Sequence, residues 1–216
     1  MPRRPSRAHL TWAIVMVAVM VVGVSAWLIG GGRDADEATT APAPAVLDDA
    51  TSTSAPLRRT CATAERNFEP KAISVPGVTK RASVVTPPRD ERGVPGTPPL
   101  TERGKTLFAW DREQGIRPGD PAGNVLFNAH TWPDGTALGN RLLAGLQLGD
   151  RIVVRGADAR LCYRVTEWVE VLADENMPRY YDTAGPPQLA ILVCSGRRLG
   201  PGKWEKRTVW FASPSV

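Results

Sequence analysis

The sequence predicts an all-β domain, a barrel or a sandwich, over residues 58–216. Three observations lead there. From about residue 70 the apolar residues come in short runs rich in β-branched and aromatic side chains, which suit a pleated, half-buried surface. Glycine and proline, 20 of each in the chain, fall between those runs and break the region into turns. One stretch alone in this region carries apolar residues at helical spacing, so helices cannot supply the core. About 150 residues is chain enough to enclose one core.

The segments before the domain read differently. Residues 1–9 hold Arg3, Arg4 and Arg7 and are expected in the cytoplasm. Residues 10–32, LTWAIVMVAVMVVGVSAWLIGGG, carry no charge and as a helix would cross a hydrocarbon core of about 30 Å. Trp12 and Trp27 stand near its ends, where interfacial aromatics lie. Arginines before it and Asp34, Asp36 and Glu37 after it place the N-terminus inside and the domain outside. A cleaved leader is the alternative, with Val24-Ser25-Ala26 as its small-residue site. The apolar core is longer than the roughly 7–15 residues of such a leader, which favours an uncleaved anchor. Residues 33–57 are mostly Ala, Thr, Ser, Asp and Pro, too poor in apolar surface to offset ordering entropy, and read as a disordered tether.

Within the domain, residues 70–79 (PKAISVPGVT) and 81–85 read as short strands broken by Pro76-Gly77. Residues 87–101 are a polar, proline-rich connection. Residues 105–111 and 124–130 are strand candidates joined by the turn cluster from Gly115 to Pro121. Residues 139–148 (GNRLLAGLQL) set Leu142, Leu143 and Leu146 at helical spacing before Gly149-Asp150. Residues 151–155, 161–172, 189–193 and 207–212 are strand-like. The long segment 172–188 separates two of these strands, and loops on a rigid scaffold tend to carry recognition.

Chemistry concentrates near the end of the chain. The run 189–193 leads into Cys194, and the last strand opens on Arg207. A strand that delivers a thiol beside one that carries a guanidinium suits cysteine chemistry, because the thiolate is the nucleophile and nearby positive charge lowers its pKa. The chain has two histidines. His9 falls on the far side of the apolar segment, so a histidine partner for Cys194 has to be His130. On these residues alone, Cys194 is equally a small buried hydrophobe, and Arg207 belongs to a basic run with Lys203 and Lys206. The net charge of +5 suits an anionic surface. No basic helix or aromatic-basic RNA motif is present, so nucleic acid is not an expected partner.

Four motifs in order, FAWDREQGIRPGD (108–120), VLFNAHTW (125–132), LAILVC (189–194) and WEKRTVWFA (204–212), resemble those of the sortases, membrane-anchored cysteine transpeptidases of Gram-positive cell envelopes. The resemblance covers residues 68–216 and looks most like the class F group of Actinobacteria. Two positions depart from the family. Ala129 stands where it usually has Gly, and Val193 stands where it usually has Thr, which removes a hydroxyl beside the nucleophile.

The resemblance implies a closed sortase-type β-barrel with one or two short helices, preceded by the transmembrane helix and the tether. In it Cys194 would attack an LPXTG-like C-terminal sorting signal, His130 would protonate the leaving amine, and Arg207 would stabilise the oxyanion. An amine from a wall precursor or another protein would release the thioacyl enzyme. The implied partners are surface proteins bearing a sorting signal, that acceptor amine, and the membrane through the N-terminal helix. Thr131, Val193, Met177, Pro178, Tyr180 and Tyr181 are expected at the substrate. Asn128, on the same strand face as His130, is set aside as a partner of the ring. No cofactor is expected and no metal, since Asp174-Glu175 falls far short of a calcium ligand set. With Cys194 reserved as a thiol in an oxidising compartment, Cys61 and Cys162 are expected to pair. Two rivals stay open. One is a non-catalytic extracellular binding barrel of the same fold, for which the lost hydroxyl at Val193 speaks. The other is an L,D-transpeptidase, whose Ser-x-Gly-Cys signature is missing because Cys194 precedes Ser195-Gly196.

Overall fold

A computed structural model describes Cys61 and residues 66–215; the expected cytoplasmic tail (1–9), anchor (10–32) and tether (33–57) lie outside the described residues. Among the described residues no helix is long and apolar enough to cross a membrane. Eight strands close into a barrel: β1 (Ala72–Val75), β2 (Thr79–Val85), β3 (Phe108–Trp110), β4 (Asn124–Ala129), β5 (Arg151–Arg155), β6 (Arg160–Leu172), β7 (Gln188–Gly200) and β8 (Lys203–Ser215). Around the wall the order is β1-β2-β3-β4-β7-β8-β6-β5, and β5 pairs back with β1. Two neighbours run parallel, β2 with β3 and β4 with β7. A parallel pair needs a long crossover; between β4 and β7 it is made by one helix, α1 (Leu138–Gly145), with β5 and β6.

The period of two along each strand sorts side chains between the two faces of the wall. Val125, Phe127 and Ala129 of β4, Leu189, Ile191 and Val193 of β7, and Trp210 and Ala212 of β8 point inward and join one buried core. Leu126, Ala190, Val209 and Phe211 point outward, yet are also buried, because Tyr180 packs over them with Met177 beside it. All six residues of β4 are therefore buried. A strand covered on both faces reads as a continuous apolar run, which is how VLFNA and LAILV appear in the sequence.

Three elements differ from the sequence-based expectation. The stretch 105–111 is a strand only at Phe108–Trp110; ahead of it, Arg103–Thr106 forms a 3-10 turn. Within that turn the Lys105 side chain is buried and its ammonium meets Asp134 and Glu102. The helix occupies Leu138–Gly145 and ends before Leu146, whose amide still reaches the Leu142 carbonyl. Cys194 does not end its strand: β7 continues to Gly200 and forms a long hairpin with β8. Cys61 and Cys162 are joined, with Cα atoms 5.5 Å apart and a sequence separation of 101. For a loop of that length the chain-entropy view gives about 4–5 kcal/mol.

Candidate active site

Cys194 lies on β7 directly across from Arg207 on β8. Both belong to the outward-facing set, one position past Val193 and one before Thr208, so thiol and guanidinium share one face of the wall. That face is the floor of a cleft of about 560 Å³, lined there by Leu192, Cys194, Arg207 and Val209. Val193 goes the other way. It is fully buried in the barrel interior and does not line the cleft. Its expected place at the substrate is thus corrected by strand alternation: the neighbours of an outward Cys194 point inward.

His130 follows the last residue of β4 and enters the same cleft, as does Thr131. The Thr131 hydroxyl donates to the Cys194 carbonyl at 2.5 Å, which ties the histidine segment to the nucleophile strand. The first turn of α1 holds this segment from behind. Gly139 N–H donates to the His130 carbonyl at 2.8 Å, and the Asn140 side chain accepts from the Trp132 N–H at 2.8 Å. A Cβ on Gly139 would lie 2.5 Å from that His130 carbonyl oxygen and 2.7 Å from the Thr131 hydroxyl, so only glycine permits the approach.

The imidazole is held on two sides. Its Nε2 lies 2.6 Å from the Pro98 carbonyl oxygen, and the Trp132 ring meets it edge to face at 5.9 Å between centroids. Trp132 in turn carries the Lys105 ammonium 4.9 Å from its ring centre. Among the described residues no hydrogen bond joins His130 to Cys194. Two residues before the histidine, Asn128 donates from Nδ2 to the Gly96 carbonyl at 2.8 Å, while its buried Oδ1 has no partner. The proline-rich segment 94–100 is thus one wall of the cleft, with Val94, Pro95, Thr97 and Leu100 along it. The sequence reading treated this segment as a connection only; the Pro-Gly-Thr-Pro-Pro spacing holds no periodic signal that would have placed it at a site.

The segment between β6 and β7 closes the opposite side. Met177, Tyr180 and Tyr181 line the cleft, whereas Pro178, which opens a 3-10 turn, does not. Tyr180 is buried, and its hydroxyl donates to the Phe127 carbonyl at 3.3 Å, so it anchors the loop as well as facing the cleft. Glu175 and Trp204 also line it.

Burial holds the Cys194 pKa above its ordinary value, and the cross-strand charge of Arg207 pulls it down without overcoming that effect. Among the described residues, the hydrogen bonds of Arg207 go to backbone carbonyls, Lys206 at 2.9 Å and Trp204 at 3.5 Å, not to a carboxylate. Its charge is therefore uncompensated beside the thiol. A half-buried thiol, a cation facing it on the adjacent strand, and an imidazole in the same cleft can together support nucleophilic attack, proton transfer and anion stabilisation.

No family model matches the sequence, and no curated protein matches it. Solved structures do match. The complex of Streptococcus agalactiae sortase C1 with MTSET is 13% identical, with a TM-score of 0.50 over 67% of this chain and 68% of that one. The pilus-related sortase C of Group B Streptococcus is 16% identical, with a TM-score of 0.52 over 68% of each chain. Sortase C1 of GBS pilus island 1 is 13% identical, with a TM-score of 0.51 over 67% of this chain and 63% of that one. At such identities the likeness is one of fold: the described domain is a sortase-like closed β-barrel.

Proposed function

We propose that this chain is a sortase-type cysteine transpeptidase, of the class F kind, held by residues 10–32 on the outer side of a cell membrane. The observation that supports it most directly is the register pair of Cys194 with Arg207 on one face of the β7–β8 wall, in the cleft that also receives His130. The substrate is the C-terminal sorting signal of a surface protein, an LPXTG-like pentapeptide. The apolar lining from Val94, Leu100, Met177, Leu192 and Val209 suits its leucine and proline.

The Cys194 thiol passes its proton to His130, and the thiolate so formed attacks the carbonyl carbon between threonine and glycine. The carbonyl oxygen becomes an oxyanion next to Arg207, whose fixed fork of donors carries a permanent charge; one such donor is typically worth about 3–4 kcal/mol. As the carbon–nitrogen bond breaks, His130 gives its proton to the departing amine, leaving a thioester on Cys194. An amine from a wall precursor or another protein then attacks the thioester, passes its proton to His130 and expels the thiolate. Atoms and protons balance over the cycle without a cofactor. The non-catalytic alternative drew on the lost hydroxyl at Val193, and that side chain lies in the barrel interior, so no feature of the cleft favours it.

The test is incubation of the full chain with a panel of LPXTG-like peptides and a short amine, followed by mass spectrometry. A ligated product, and a thioacyl adduct on Cys194 when the amine is withheld, are expected. A folded protein whose Cys194 alkylates normally, yet which cleaves and ligates none of the panel, would overturn the proposal.

A further inference from the structure

We propose that Asn128 is a positioning residue for His130, acting through the backbone of segment 94–100; the inference rests on the transpeptidase reading of the cleft for its consequence, but not for its geometry. Asn128 lies on β4 and His130 just past its end, two residues on, and both reach the same side. Opposite them, two carbonyls that are also two apart meet these side chains: Gly96 accepts from Asn128 Nδ2 at 2.8 Å, and Pro98 lies 2.6 Å from His130 Nε2. A carbonyl oxygen only accepts, so Nε2 must carry the hydrogen for this to be a bond. In the neutral ring this fixes the Nε2–H tautomer and leaves Nδ1 to accept a proton.

The segment cannot hold this place unaided. Behind it, a Cβ on Gly96 would run into the Pro88 carbonyl and lie 2.8 Å from the Pro87 side chain. That packing limits retreat but does nothing to fix the segment along its length, where Thr97 and Leu100 are exposed. The bond from Asn128 supplies that fix, two residues away from the carbonyl that grips the histidine. Asn128 is 7% exposed and leaves its Oδ1 buried without a partner. An amide half satisfied in a buried site is unfavourable and calls for an explanation. Here the Nδ2 donor is what the site uses, and the orphaned oxygen is its consequence.

The experiment compares the full chain, in detergent and labelled with 15N-histidine, with Asn128→Asp and Asn128→Ala. Asn128→Asp keeps the shape but sets an acceptor against the Gly96 carbonyl; Asn128→Ala removes the group. Long-range proton–nitrogen spectra report the tautomer of His130, with His9 as the second signal. The parent is expected as the Nε2–H form, and each variant as a mixture of tautomers at unchanged fold. Turnover should fall at least about tenfold with KM unchanged, part of the roughly 10²–10⁴-fold that positioned proton transfer contributes. A parent in the Nδ1–H form, or variants that keep the Nε2–H form, would overturn the proposal. So would a rise in KM with the tautomer intact, which would make Asn128 a substrate contact. If the parent ligates no peptide, the transpeptidase reading fails, while the spectra still decide the role of Asn128.

Discussion

The two walls of the cleft are built by different means. The wall that carries Cys194 and Arg207 is a ladder of long strands, β6, β8 and β7, in which side-chain direction follows from position parity and cross-strand partners follow from register. The wall that holds His130 is one strand end, a helix start and an irregular proline-rich segment. They are locked by side-chain hydrogen bonds and by glycines that admit close backbone contact. The first wall is built on strand register. The second depends on a few bonds, one of them made by the imidazole itself. A thiolate needs charge nearby and little else, whereas a proton-transfer group has to point in a direction.

The largest effect should come from the ladder wall. Cys194→Ala removes the nucleophile and little volume, so cleavage and ligation of the sorting peptide should vanish while the melting temperature stays within a few degrees. A folded variant that still ligates would show that the thiol is not the reacting group. Arg207→Lys keeps the charge but loses the planar fork, and should lower turnover about 10²–10³-fold, the scale of one lost oxyanion donor. Single-turnover rates equal to the parent's would make Arg207 a surface charge. Arg207→Gln tests the electrostatics apart from turnover. Removing the cation raises a thiol pKa that burial already holds high. Alkylation of Cys194 at neutral pH should therefore slow, because less of the thiol is ionised. In the parent the alkylation rate should still be climbing at about pH 9, since the ordinary thiol value lies near 8.5. A plateau by neutral pH would reverse the sign of that shift.

The sequence disclosed the ladder wall almost entirely. The runs LAILV and TVWFA gave two strands, and the order Cys194 then Arg207 on adjacent strands is enough to suggest that they meet. It did not disclose that β7 passes through Cys194, because the exposed, charged stretch RRLGPGK looks like a loop although it is a protruding hairpin. The other wall was legible only at His130. Gly96, Pro98 and Asn128 act through backbone carbonyls and one amide, and their partners lie 32 residues apart in sequence. No local periodicity encodes such a contact. A smaller effect than those above tests this wall directly. Gly96→Ala would push the segment off Pro87 and Pro88 toward the histidine, an overpacking worth about 1–3 kcal/mol. The melting temperature should fall by roughly 2–4 °C per kcal/mol, and turnover should drop with it. Unchanged stability and turnover would mean that the segment is free to shift.

The smallest effect is expected where the family resemblance predicts a large one. Val193→Thr restores the hydroxyl that sortases usually carry before the nucleophile. If the side chain faced the substrate, turnover should rise. In the structure it faces the barrel interior, paired in register with Ala129 on one side and with Thr208 on the other. A hydroxyl placed in an apolar interior without a partner costs about 1–3 kcal/mol. The buried Thr208 across the strand can offset part of that, since threonine pairs on one face bond to each other. The expected outcome is a loss of stability of about 1 kcal/mol and no change in turnover, KM or the alkylation rate of Cys194. Chemical denaturation and steady-state kinetics on the same preparation measure both. A several-fold gain in turnover would mean that the inner face of β7 takes part in the reaction. The division of the strand into a core face and a reacting face would then be wrong.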